Sequence, residues 1–339
     1  MSKIIFQHTY NHIISLENLL EAWKEFVCGK RARKDVQEFE RNLMTNIIAL
    51  HHELAEKTYL HSSYQAFKIS DPKPRDIHKA SVRDRLLHHA LHRVFSPFFT
   101  RTFVSDSNSC QIGKGTHRAL RRFAQFINIA SQNNTRTVWI LKCDIKKFFA
   151  NIDHEVLLGI IDAYIPDKDI TRLLSVIINS FNSDKKGVGL PLGNLTSQLL
   201  VNIYMNEFDQ FMKHKLKTKY YIRYADDFVV LSHDRAYLEK ILPLMQDFLK
   251  NKLKLSMHPN KVSISTIASG VDFLGWVHFP DHRVLRTTTK KRMFSKLKAN
   301  SYSHNSVQSY LGMLKHGNTE KLKELIIDPG SFAQTHQSV

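Results

Sequence analysis

The stretch Tyr221-Ile222-Arg223-Tyr224-Ala225-Asp226-Asp227-Phe228-Val229-Val230-Leu231 sets two adjacent carboxylates between two β-prone apolar runs. Such runs around a short polar step read as a hairpin. Neighbouring side chains on a strand point to opposite faces, so adjacent acids in mid-strand could not serve one site. At a hairpin tip the alternation breaks, and both carboxylates approach one small volume. Held that close they repel unless a divalent cation sits between them. The feature points to Mg²⁺, and Mg²⁺ held by a few carboxylates points to phosphate chemistry. Taken alone, the same residues fit a solvated acidic turn equally well.

The charge balance favours the first reading. Across 339 residues, 49 Lys and Arg against 31 Asp and Glu leave a formal net charge of +18. A field of that sign attracts polyanions, nucleic acid above all. The excess is concentrated: Arg101 to Cys143 holds seven basic residues and one acid, Asp106, and Asp281 to Lys323 holds ten against Asp281 and Glu320. The length allows one to three domains. Cys28, Cys110 and Cys143 are odd in number and widely spaced, which suits neither a disulfide framework nor a zinc site. The histidine pairs His51-His52 and His88-His89 read as surface or core residues. With no secretory leader and no apolar run near the ~20 residues that span a bilayer, a cytoplasmic setting without membrane contact is expected.

Residues 1–60 read as helical, with Leu16, Leu19, Leu20, Trp23 and Phe26 on one face and Phe39, Leu43, Ile47 and Leu50 on a second. Lys30-Arg31-Ala32-Arg33-Lys34 reads as an exposed basic joint between them. Lys73-Pro74-Arg75 opens a turn or short hairpin, and Val82 to Phe95 is helical. Thr137 to Cys143 is a strand running into Asp144. A helix is expected from Lys168 to Phe181, then a glycine-punctuated loop from Gly187 to Asn194. A long amphipathic helix carries Leu199, Leu200, Ile203, Tyr204, Phe208 and Phe211, and another follows the hairpin with Tyr237, Ile241, Met245, Phe248 and Leu249. Strands at Val271–Leu274 and Trp276–Phe279 precede a basic helical tail beyond Leu285. Interleaved strands and helices imply an α/β or α+β core with helical additions.

A site for two metal ions needs a third carboxylate from elsewhere, and Asp144, where a strand stops, meets that demand; it also fits a helix N-cap. Lys142-Cys143-Asp144 with Phe148-Phe149, Gly193 ahead of a helix, and Tyr224-Ala225-Asp226-Asp227 (the YADD motif) resemble the reverse transcriptases in identity, order and spacing, from about Lys73 to Leu314. The resemblance implies an α+β right-hand polymerase with fingers, a palm built on an antiparallel sheet, and a small helical thumb. Its divisions would be an N-terminal helical extension (1–60), fingers (61–136), palm (137–284, with a fingers-associated helical insertion near 165–188) and thumb (285–330).

By the same resemblance, Asp144, Asp226 and Asp227, with Ile145 beside them, hold two Mg²⁺ ions, for which Mn²⁺ can substitute. One ion would activate the primer 3′-OH and the other clamp the triphosphate. Phe149 matches the aromatic gate that excludes a 2′-OH. Lys73, Arg75 and Lys79 match the fingers segment that contacts the triphosphate, where arginine's planar fork suits phosphate. Gly113, Lys114 and Gly115 match the family's template-contacting loop. Lys261 matches the lysine that protonates pyrophosphate. Phe273-Leu274-Gly275 matches the primer-grip hairpin, and the basic tail would track a duplex backbone.

Gly189-Leu190-Pro191-Leu192-Gly193-Asn194-Leu195-Thr196-Ser197-Gln198 departs from the common pattern. Most reverse transcriptases carry Gln where Leu192 stands, against the nascent base pair; Leu192, Gly193 and Gln198 join the nucleotide-binding set. The Gly193 to Gln198 run is similar to reverse transcriptases of diversity-generating retroelements, which copy a template RNA with errors at adenines beside a small basic accessory protein. Some bacterial antiviral-defence reverse transcriptases also resemble this stretch. The expected partners are template RNA, a DNA or RNA primer, the RNA–DNA hybrid, dNTPs, that accessory protein and a structured noncoding RNA. Competing readings are a defence or group II intron-derived reverse transcriptase, an RNA-dependent RNA polymerase, and an RNA-binding pseudo-polymerase.

Overall fold

The computed structural model describes residues 4–70 and 74–327. The chain divides into two compact units. One holds residues up to Gly115, Cys143–Phe228 and Lys240–Val262; the other holds Thr116–Lys142, Val229–Glu239 and the chain from Ser263 onward.

The first unit begins with four helices, α1 (Tyr10–Ile14), α2 (Leu16–Val27), α3 (Lys34–Arg41) and α4 (Leu43–Ala55). Ser15 starts α2 by accepting the Asn18 N–H on its hydroxyl, with Glu17 in the positive first turn. Leu19, Trp23 and Phe26 are buried against α5 (Val82–Thr100), as the spacing predicts. The second apolar face is split between α3 and α4 at Asn42. The basic joint is less open than expected, because Lys30 is half-buried and its ammonium donates to the Phe26 carbonyl. Between α4 and α5 stands the antiparallel hairpin β1 (Gln65–Ile69) and β2 (Arg75–Lys79), exposed along most of its length. Lys73 lies outside the described residues.

Helix α7 (His154–Asp162) is capped by Asp153, and α8 (Lys168–Asn179) by Asp167. Helix α9 (Leu195–Gln210) corrects an expectation: it is not amphipathic but buried on nearly every side. Asn202, Asn206 and Asp209 interrupt its apolar residues, and all three are buried with polar partners. Such a helix is internal, and its polar residues read from sequence as a solvent face that does not exist.

Strands β3 (Trp139–Asp144), β4 (Tyr220–Tyr224), β5 (Asp227–Ser232) and β6 (Ser263–Thr266) form a sheet in the order β4-β5-β3-β6. Its central strands are almost wholly buried. Helix α10 (Arg235–Leu253) follows, burying Leu238, Ile241, Met245 and Leu249.

In the second unit, α6 (Thr116–Ala130), which the sequence reading does not place, buries Phe123 against Phe273 at 5.1 Å between ring centroids. Phe273 ends β7 (Val271–Phe273), which pairs with β8 (Trp276–His278) and through it with β9 (Arg283–Leu285). Three helices follow, the basic α11 (Thr287–Ala299), then α12 (His304–Leu314) and α13 (Glu320–Ile327). Among the described residues, no helix is long and apolar enough to cross a membrane.

Candidate active site

The acidic hairpin forms as its sequence dictates. Ala225 and Asp226 make a two-residue turn between β4 and β5, with Ala225 in the left-handed region at φ 55°. Asp226 therefore sits at the tip and Asp227 opens β5. Asp144 ends β3, and the Ile145 N–H donates to the Asp226 carbonyl at 3.2 Å, tying the two acidic segments together. On its other side the Asp144 carbonyl accepts the His258 N–H at 2.7 Å. This places the turn Pro259–Lys261 beside it, and the Lys261 ammonium donates to both Asp144 carboxylate oxygens at 2.9 Å.

The electrostatics of this cluster suit a cation. Burial pushes the Asp226 carboxyl above its usual range, and the charge of Asp144 pushes it further. A backbone hydrogen bond, Lys261 and Arg75 oppose the rise. Two carboxylates face a single lysine here, so a divalent ion would find excess negative charge. The donors are hard carboxylate oxygens, the type that Mg²⁺ takes. Among the described residues, no three His, Cys, Asp or Glu side chains are gathered into a cation cage. That is compatible with Mg²⁺, which keeps waters and shares substrate phosphates rather than sitting in an all-protein cage.

The residue that sequence reasoning missed is Arg223. Its side chain is fully buried, and its guanidinium donates to both oxygens of Asp209, at 2.8 and 2.7 Å. The same group reaches Asn202, the Ser107 hydroxyl and, at 3.1 Å, the carbonyl of Ala225 in the acidic turn. Tyr221 donates to Asp209 at 2.6 Å. The backbone of Arg223 also bonds Asp106 and Asn108. The acidic turn is thus braced by a buried ion pair whose hydrogen-bonding capacity is filled. The Arg-Tyr spacing ahead of the acids was the available signal, but Asp209 lies in what reads as an ordinary helix.

Around this centre, Phe149 is half-buried on a short 3₁₀ turn, edge-on to the buried Phe148 at 5.6 Å. Its carbonyl accepts the Leu190 N–H, joining it to the loop that carries Leu192 and Gly193. That loop is pinned to the exposed hairpin, because the His78 N–H donates to the Leu192 carbonyl at 3.0 Å. Gly193 has φ +112°, and a Cβ there would lie 2.9 Å from Ile77 Cγ2, so a side chain is excluded twice over. Arg75 is exposed on β2, whereas the Lys79 ammonium pairs with Asp35 at 2.7 Å. Gln198 lines a cavity with Lys79 and Gly193. In the loop Gly113-Lys114-Gly115, the Lys114 ammonium turns back to the Ser107 carbonyl. In the second unit, Phe273 is core, while Leu274 and Gly275, both with positive φ, form the turn of the β7–β8 hairpin.

A strand-end aspartate, an acidic turn and a lysine on one of the acids thus meet in one place. The model of the reverse transcriptase (RNA-dependent DNA polymerase) family matches residues 69–278, well over half the chain, and the chain belongs to that family. It is 25% identical over 258 residues to Protein YkfC of Escherichia coli K12, covering 65% of this chain and 66% of that protein. It is 24% identical over 295 residues to the group II intron-encoded protein LtrA of Lactococcus lactis subsp. cremoris, covering 66% of this chain and 47% of LtrA. The chain thus spans about two thirds of one relative and about half of the other. Among solved structures it resembles apo telomerase from Candida tropicalis, with a TM-score of 0.50, 12% identity and coverage of 72% of this chain and 60% of that one. The fold is the expected α+β right-hand polymerase fold. The family in general works with divalent metal ions.

Proposed function

We propose that the chain is an RNA-directed DNA polymerase that extends a primer 3′-OH with dNTPs on an RNA template. The observation that carries this is the meeting of Asp144 and Asp226 with Lys261 seated on Asp144. Asp144 and Asp226, with Asp227 and Ile145 alongside, would hold two Mg²⁺ ions. When bound, the ions acidify the primer hydroxyl and neutralise charge on the departing pyrophosphate. Lys261, released from Asp144, then has a proton to give the pyrophosphate oxygen. Arg75 steadies the triphosphate, Phe149 crowds the position of a 2′-OH, and Leu192 and Gly193 lie against the new base pair. Residues 61–136, 137–284 and 285–330 act as fingers, palm and thumb, and 1–60 as an extension.

Leu192 has no side-chain group with which to test the base pair, so we assign the enzyme low fidelity and, with it, a role in a diversity-generating retroelement with an accessory protein and a structured RNA. Similarity to a group II intron-encoded protein favours a second reading, an intron-derived polymerase. The deciding experiment is extension of a primer on a defined RNA template with Mg²⁺, supplied with dNTPs or rNTPs, followed by sequencing. DNA product with errors concentrated at template adenines is expected. Accurate DNA supports the intron-derived reading, and equal use of rNTPs contradicts the proposal.

A further inference from the structure

Helix α9 starts without the side-chain cap that its sequence offers. Asn194 stands at the N-cap position and is buried, yet its amide makes no cap bond and has no hydrogen-bond partner. The first turn is fastened one residue further in. Oγ1 of Thr196 lies 2.6 Å from Nδ1 of His88 on α5, and both residues are buried. Burial pushes the His88 pKa down to about 3, so the ring is neutral, with one donor and one acceptor nitrogen. Its Nε2 is 3.2 Å from Nε2 of His61, whose Nδ1 is 2.6 Å from the Ser62 carbonyl. A carbonyl only accepts, so His61 Nδ1 carries a hydrogen. With His61 neutral, the line has one direction: His88 Nε2 donates to His61, and the Thr196 hydroxyl donates to His88.

The same face of α5 also holds the β1–β2 hairpin. Asp84, one turn before His88, accepts the Ser62 N–H ahead of β1 at 3.1 Å and the Ser81 hydroxyl after β2 at 2.7 Å. The hairpin in turn touches the loop before α9, through His78 to the Leu192 carbonyl and through Ile77 against Gly193. The segment from Leu192 to Thr196 is thus fixed at both ends to groups that α5 organises. A satisfied line of buried polar groups rigidifies what it joins. We propose that His88 is a positioning residue for the incoming nucleotide, seating the Leu192–Gly193 loop through Thr196, an assignment that rests on this loop meeting the new base pair. Without the bond the nucleotide must order the loop itself, which weakens its binding and leaves the carboxylates in place.

The test is extension by the full chain at varied dNTP, read as KM and kcat, with amide hydrogen exchange on the same proteins. Thr196→Val removes the hydroxyl and keeps the branched shape. It should raise the KM about fivefold or more, the worth of one buried hydrogen bond, and change kcat by less than about twofold. Thr196→Ser keeps the hydroxyl and should restore the KM. His88→Leu should reproduce the Thr196→Val effect, and the double variant should add nothing, because both break one bond. Should His88→Leu not fold, the Thr196 pair decides alone. In exchange, Thr196→Val should speed the amides of residues 192–199 about fivefold and leave those of β4 and β5 unchanged. An unchanged KM in Thr196→Val, a KM raised equally in Thr196→Ser, or effects that add in the double variant overturn the proposal, whatever the melting temperature does. If the wild type extends no primer, the polymerase reading fails by itself and exchange decides whether His88 seats the loop: faster exchange at 192–199 sustains it, and unchanged exchange overturns it.

Discussion

The hairpin β4–β5 is buried along both strands, whereas β1–β2 is exposed along most of its length. Each presents charged groups that the proposed reaction uses, Asp226 and Asp227 on the first and Arg75 on the second. The first is held by the sheet, by α9 and by the Arg223–Asp209 pair, which reaches the carbonyl of its turn. The second is held by its own ladder, by a hydrogen bond from His78 to Leu192 and, at its far end from Arg75, by the Lys79–Asp35 ion pair. Carboxylates that position ions must be fixed to a fraction of an ångström, and packing achieves that. An arginine that meets a substrate arriving and leaving gains from a locally less stable element.

The contrast predicts effects of descending size. Asp144→Asn should lower extension by about 10²-fold or more while leaving nucleic-acid binding near wild type, since it removes a group that acts on the transition state. A parallel loss of binding in a titration would show that Asp144 holds the fold instead. Next, Arg223→Ala should cost about 3–5 kcal/mol of stability, because Asp209 is left charged and buried. Removing both partners, as Arg223→Met with Asp209→Leu, should recover much of that stability but not the activity, since the Ala225 carbonyl keeps no donor. Thermal melts and extension rates on the two variants check this; a cost under about 1 kcal/mol for Arg223→Ala would remove the brace from the account.

On the exposed hairpin the pattern should invert. Arg75→Ala should raise the KM for dNTP about tenfold or more, the worth of a charged hydrogen bond, while stability changes by no more than about 0.5 kcal/mol. A large melting shift would mean that Arg75 is structural. The smallest effect concerns charge at the tip. Asp226 has its carboxyl pKa raised in the fold, so the native state binds the proton more tightly and loses stability as pH rises through that range. Without divalent ions, Asp226→Asn should therefore melt higher than wild type at neutral pH, and the gap should close as acid protonates the wild-type carboxyl. A gap that widens toward acid would contradict the sign.

The acidic hairpin and the strand into Asp144 are legible because both depend on local alternation and on a turn. Gly193 is legible as a glycine ahead of a helix, although its reason, the approach of Ile77, comes from a hairpin over a hundred residues away. The brace is not legible. Arg223 finds Asp209 on a helix and Ser107 on a distant loop, and nothing in the spacing announces either. For the same reason α9 reads as amphipathic: its buried Asn202 and Asp209 have partners that only the tertiary fold supplies. The ion pair of Lys79 with Asp35 belongs to the same class, joining β2 to a helix of the N-terminal region.

The central claim is that Asp226, at the tip of the β4–β5 hairpin, carries RNA-templated DNA synthesis. Its most direct test is single-turnover extension of a DNA primer on RNA with Mg²⁺, comparing wild type with Asp226→Ala at saturating, equally bound primer–template. The account predicts rapid extension by the wild type and a residual rate below about one per cent in the variant. Extension by Asp226→Ala at more than a few per cent of the wild-type rate would contradict it.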